Sequence, residues 1–103
     1  MNKKDLDLEP LSESVIAAKL KDFPGWKYKD HTLTKTFKFK DFSDGLDLLN
    51  KLIPFCNKID HHPNVHIYFR QWIFELIRYS VGGKVTERDF TVAKKIEELY
   101  KDR

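Results

Sequence analysis

Three histidines fall within six residues in the stretch "DHHPNVH": His61, His62 and His66, with Pro63 directly after the pair. Imidazole can ligate a metal, assist a nucleophile, or carry a proton, and the spacing separates these uses. Zinc accepts imidazole readily, but Pro63 stops His62 and His66 from sharing a helical turn. His66 also begins an alternating run whose side chains diverge to opposite faces. No cysteine pair or Glu-bearing histidine motif adds further ligands, so no metal site is expected. Cys56 lies on an apolar helical stripe, where a thiol is more often core than nucleophile. Neither "GxSxG" nor a phosphate-cradling glycine loop is present, and "VGGK" (Val81 to Lys84) lacks the flanks of one. Acid–base chemistry fits better, because imidazole titrates nearest neutral pH. A linker before a proline can aim both rings of His61 and His62 into one pocket. From these residues alone a structural explanation stands equally, with one ring at a helix C-terminus and the other in water.

Several elements must position that pair. Ser12 or Ser14 caps a short helix to about Lys21, with Val15, Ile16 and Leu20 on one face, and "FPGW" ends it. "WKYKD" and "TLTKTFKFK" alternate as strands, with Leu33, Phe37 and Phe39 on one side and a hairpin at Asp30–His31. From Asp41 or Ser43 the period becomes helical. Phe42, Leu46, Leu49, Ile53 and Cys56 form the main stripe, and Pro54 should bend the helix. Leu48, Leu52 and Phe55 lie off that stripe, which predicts a subunit contact along them. "VHIYF" and "WIFELIRYS" read as two more strands, with "RQ" (Arg70, Gln71) a weak turn between them. Thr86 and Asp89 give a capping-box pattern for a last helix that buries Phe90, Ala93, Ile96 and Leu99 or Tyr100. The expected fold is α+β, a four-stranded antiparallel sheet with three helices on one face, in the order α-β-β-α-β-β-α.

The chain has 103 residues, enough for a single core, and reads as a loose arm over residues 1–10 followed by one domain over 11–103. Nineteen basic and sixteen acidic residues are mixed along it, which argues against direct nucleic-acid binding. One cysteine fits a reducing compartment, and no run reaches the roughly 18 apolar residues of a membrane span. The N-terminus lacks the apolar centre of a secretory signal, so a cytoplasmic location is expected, or a nuclear one in a eukaryote.

"GW" (Gly25, Trp26), "LTKTFKFKDF", "DHHP" (Asp60 to Pro63) and "VGGKVTERDFTVAKKI" occur in this order from Leu20 to Leu99. In these motifs the chain resembles the pterin-4a-carbinolamine dehydratase family. The resemblance implies the same α-β-β-α-β-β-α fold. It also implies an enzyme that eliminates water from 4a-hydroxytetrahydropterin, giving quinonoid dihydropterin in pterin recycling, with no metal or organic cofactor. By that analogy His61 is the general acid, His62 holds and orients the pterin, and Asp89 is a further catalytic candidate that capping alone would also explain. The implied pterin-binding residues are His61, His62, Pro63, Arg78, Tyr79 and Ser80.

The chain departs from the family pattern at two places. Tyr79 stands where the family has a third active-site histidine, with Ser80 the other candidate because "GGKVT" is one residue longer than "GGLT". A phenol ordinarily titrates near ~10 and an imidazole near ~6.5, so tyrosine is the poorer proton donor at neutral pH. Asn57 replaces a usual acidic residue. The resemblance further implies a homo-oligomer, a dimer or tetramer. An alternative reading follows from the departures: a weak or inactive relative serving as an oligomeric binding module, such as a transcriptional dimerisation cofactor or an assembly factor.

Overall fold

The computed structural model describes residues 7–79 and 82–103. Seven elements follow one another: α1 (Glu13–Leu20), β1 (Lys27–Lys29), β2 (Thr32–Lys38), α2 (Phe42–Ile59), β3 (Asn64–Tyr68), β4 (Gln71–Leu76) and α3 (Glu87–Lys101). The α-β-β-α-β-β-α order predicted from periodicity is the order observed. The strands form one antiparallel sheet, β1-β2-β4-β3, so the two hairpins meet through β2 and β4.

Local chemistry accounts for most boundaries. Ser12 accepts from the Val15 amide at 3.3 Å and caps α1. Asp30 and His31 both take positive φ, 51° and 63°, giving a two-residue turn whose twist matches the strands it joins. Asp41 accepts from the Asp44 amide at 2.9 Å and starts α2. The helix runs on through Pro54 to Ile59. The second hairpin turns at Phe69–Arg70, one residue earlier than "RQ" suggested, because Tyr68 pairs with Gln71. β4 stops at Leu76 rather than continuing to Ser80. Beyond it, the Arg78 backbone bridges to Lys84 across the following loop.

Alternation gives the sheet one packed face. Leu33 and Phe37 of β2 and Trp72, Phe74 and Leu76 of β4 are buried. They meet Ile16 of α1, Leu48, Leu52 and Cys56 of α2, and Phe90, Val92, Ala93 and Ile96 of α3. Aromatic rings dominate the join: Phe37 stands edge-on to Trp26, Phe74 and Tyr100, with centroids 4.8–6.0 Å apart.

The two stripes of α2 require a correction. Gly45, Leu48, Leu52 and Cys56 are the buried residues, whereas Phe42, Leu46 and Ile53 are exposed. The face expected to meet a partner is therefore the core face, and most of the expected core stripe looks outward. The reason is Gly45. A Cβ there would lie 2.5 Å from the Trp72 ring, so only a glycine lets the helix settle on the sheet along this line. Both stripes have helical spacing, and the single close approach decides between them.

Candidate active site

The α2 C-terminus builds the site. Asp60 ends the helix with left-handed backbone, φ 54°, and its own amide and that of His61 both return to the Cys56 carbonyl. That turn separates two adjacent side chains. His61 points inward and is 4 % exposed, while His62 remains exposed.

His61 Nε2 donates to Asp89 Oδ1, and Asp89 is fully buried. Asp89 does two jobs at once. Its other oxygen accepts from the Thr86 amide at 2.7 Å and the Thr86 hydroxyl at 3.2 Å, closing the first turn of α3. Capping therefore does not compete with contact to the histidine; it fixes the carboxylate for it. On its other side, His61 Nδ1 lies 3.2 Å from Arg78 Nη1, which also donates to the Asp60 carbonyl at 2.5 Å. His62 Nε2 donates to Asn57 Oδ1 at 2.7 Å, so Asn57 serves His62 and not His61. Asp60, His61, His62, Ile77, Arg78 and Tyr79 line one cleft of about 290 Å³.

Of the sequence-predicted residues, His61, His62, Arg78 and Tyr79 converge on this cleft, and Asp89 supports it from beneath. Tyr79 is 70 % exposed, and its hydroxyl accepts from Asn64 Nδ2 at 3.1 Å. Pro63 faces a different, apolar hollow that it shares with His62, Leu49, Ile53 and Cys56. Ser80 lies outside the described residues. His66 sits on β3 and pairs with Glu75 at 2.8 Å on the face away from the helices, so the three histidines do not converge. Among the described residues no cluster of ligating side chains is suited to a metal ion. Burial pushes the Cys56 thiol up to about 11, which leaves it protonated and unreactive at neutral pH.

Two contributors were not foreseen. Arg88 is buried at the start of α3 and donates to the Ile59 carbonyl at 3.1 Å. It also grips Asp7 with two bonds, 2.9 and 2.6 Å. Hydrogen bonds from Arg88 hold the Asp7 carboxyl below its ordinary value, against some desolvation and with help from the charges of Arg88 and Arg78. Asp7 and Pro10, expected within the arm, thus reach the start of α3, Asp7 through Arg88 and Pro10 through a backbone bridge to Thr86. An arginine in a polar helix start reads as solvated. Its partner lies 81 positions away, a separation local pattern cannot bridge.

A sequence model described as Pterin 4 alpha carbinolamine dehydratase matches residues 9–99, nearly the whole domain. The chain belongs to the pterin-4a-carbinolamine dehydratase family. Among its relatives in this family, a protein of Sulfolobus acidocaldarius is 40 % identical over 89 residues, covering 86 % of this chain and 97 % of the relative. One from Sulfurisphaera tokodaii is 38 % identical over 92 residues, covering 89 % and 98 %. Both carry the dehydratase name provisionally. A crystal structure described as a transcriptional coactivator/pterin dehydratase from Brucella melitensis superposes with a TM-score of 0.82 at 31 % identity, covering 88 % of this chain and 98 % of that one. The turn that ends α2, "DHHP", brings His61 and His62 to the cleft. No helix among the described residues is long and apolar enough to cross a membrane.

Proposed function

We propose that the protein is a 4a-hydroxytetrahydropterin dehydratase working by histidine acid–base catalysis at the His61–His62 cleft. The carrying observation is the His61–Asp89 pair, buried beneath a cleft whose rim holds His62, Arg78 and Tyr79. A carboxylate on one ring nitrogen orients the imidazole, so proton exchange with substrate falls to Nδ1, the nitrogen that Arg78 also approaches. In the reaction the C4a–O bond breaks as the hydroxyl takes a proton from the general acid, given to His61. Water departs, N5 loses its proton, and a C4a=N5 double bond forms. His62, steadied by Asn57, holds the pterin, while Tyr79 offers a hydroxyl where the family has its third imidazole. The cleft suits a bicyclic head whose side chain extends into solvent. None of these steps calls for a metal or organic cofactor.

Stopped-flow measurement on chemically generated 4a-hydroxytetrahydropterin tests this directly. The protein should accelerate dehydration, and His61→Ala should reduce that acceleration by about a hundredfold or more. A rate equal to that of buffer alone would overturn the reading.

A second reading has its own observation. Phe42, Leu46 and Ile53 form an exposed apolar face on α2, which suits self-association into a dimer or tetramer and a role as an oligomeric binding module. The Brucella melitensis neighbour's description joins coactivator and dehydratase in one protein. On this reading assembly survives His61→Ala and depends on the α2 face.

A further inference from the structure

Arg78 contacts His61 in a way that restricts the histidine's chemistry. A guanidinium has five donors, no acceptor, and stays charged at any working pH. Its Nη1 lies 3.2 Å from His61 Nδ1, so that nitrogen must present a lone pair. The ring's single proton is then on Nε2, facing Asp89. Protonating Nδ1 would set two donors and two positive charges against each other at that distance.

The arginine is not a casual neighbour. Its backbone is pinned by the loop that follows, with its amide bonded to the Lys84 carbonyl at 2.9 Å and its carbonyl accepting from Gly83 at 3.1 Å. Its side chain is 14 % exposed and spans the end of α2. There it meets the Asp60 carbonyl at 2.5 Å and approaches the Asp60 carboxylate at 3.9 Å. A cation at a helix C-terminus is also favoured by the helix dipole.

We propose that Arg78 is a positioning residue that holds His61 as the neutral Nε2–H tautomer by disfavouring a proton on Nδ1. Among the described residues, few charged and titratable groups meet the ring. Asp89 of α3 favours the imidazolium, and Arg78 opposes it. Asp60 and His62 flank the ring along the chain. Arg88 of α3 acts on the neighbouring Ile59 carbonyl, with Asp7 partly neutralising it. Tyr79 lines the same cleft. Arg78 is the cation in direct contact with the proton-accepting nitrogen.

The inference rests on the dehydratase reading for its catalytic meaning, but its test needs no substrate. Long-range proton–nitrogen correlation spectra of the free protein report each histidine's tautomer and titration. Near neutral pH, His61 should show a bare Nδ1 and a protonated Nε2. In Arg78→Met its midpoint should rise by about one unit or more, with the His62 midpoint little changed, and Arg78→Lys should restore most of the difference. A wild-type His61 protonated on both nitrogens at neutral pH would overturn the proposal, as would an unmoved midpoint in a folded Arg78→Met protein. If that variant does not fold, the wild-type tautomer and the Lys variant still decide. Should the protein also dehydrate 4a-hydroxytetrahydropterin, the alkaline limb of kcat against pH, where a general acid loses its proton, should shift upward with the His61 midpoint. An absent activity with the expected spectra would reject the dehydratase reading and leave Arg78's role standing.

Discussion

The two faces of α2 both carry large apolar side chains, yet their fates differ. One face, Gly45–Leu48–Leu52–Cys56, is buried on the sheet, and the other, Phe42–Leu46–Ile53, stays partly exposed, with the Phe42 ring resting at the edge of Trp72. Leucine, isoleucine and phenylalanine gain similar free energy on burial, so hydrophobicity alone does not rank the faces. What ranks them is how closely the backbone can approach. Gly45 lacks the side chain that would collide with Trp72, so the face that carries it can lie against the sheet. A glycine inside a helix costs about 1 kcal/mol relative to alanine, so its presence there is itself a sign that something packs against it.

Substitutions along the two faces sharpen or break that contrast. The largest effect is expected at Leu52, which is fully buried. Leu52→Ala should lower stability by about 2–5 kcal/mol in denaturant unfolding, through lost burial and the cavity left behind. Gly45→Ala comes next. Its methyl must displace the Trp72 ring, and overpacking of this kind costs about 1–3 kcal/mol, partly offset by alanine's better helix propensity. A neutral or stabilising Gly45→Ala would show that Trp72 moves aside easily and that the approach does not choose the face. The smallest effect is expected on the outer side. Leu46→Lys with Ile53→Lys should change protomer stability by no more than ~0.5 kcal/mol, while sedimentation shows any self-association weakened. If that pair destabilises as Leu52→Ala does, the two faces are not distinct.

The contrast also explains why parts of the site were legible in the sequence. Capping signals are local, so Thr86–Asp89 could be assigned without knowing the fold, and the other two caps narrowed to Ser12 or Ser14 and to Asp41 or Ser43; the structure selects Ser12 and Asp41. Alternation fixed the inward side of β2 and β4, because a strand has only two faces. The turn before Pro63 was legible as an irregular place for two imidazoles. By contrast, the strand ends after β3 and β4 were displaced by pairing. Phe69 takes positive φ at the turn, an unusual state for a bulky residue that no turn-forming side chain announces. Asp89 was recognised, but its two oxygens serving Thr86 and His61 together needed α3 to be set against the end of α2.

The sequence by itself determined the order of elements, the sheet's packed face, the helix starts and the residues from which an acid–base site could be made. Each depends on neighbours within a few positions, where backbone geometry and side-chain type suffice. Only the tertiary structure decided which face of α2 is core, which histidine is buried, and which charges meet it. Those outcomes turn on contacts such as Gly45 with Trp72, Arg78 with His61 and Arg88 with Asp7. Such contacts join residues from 17 to 81 positions apart, and nothing in local periodicity constrains that distance.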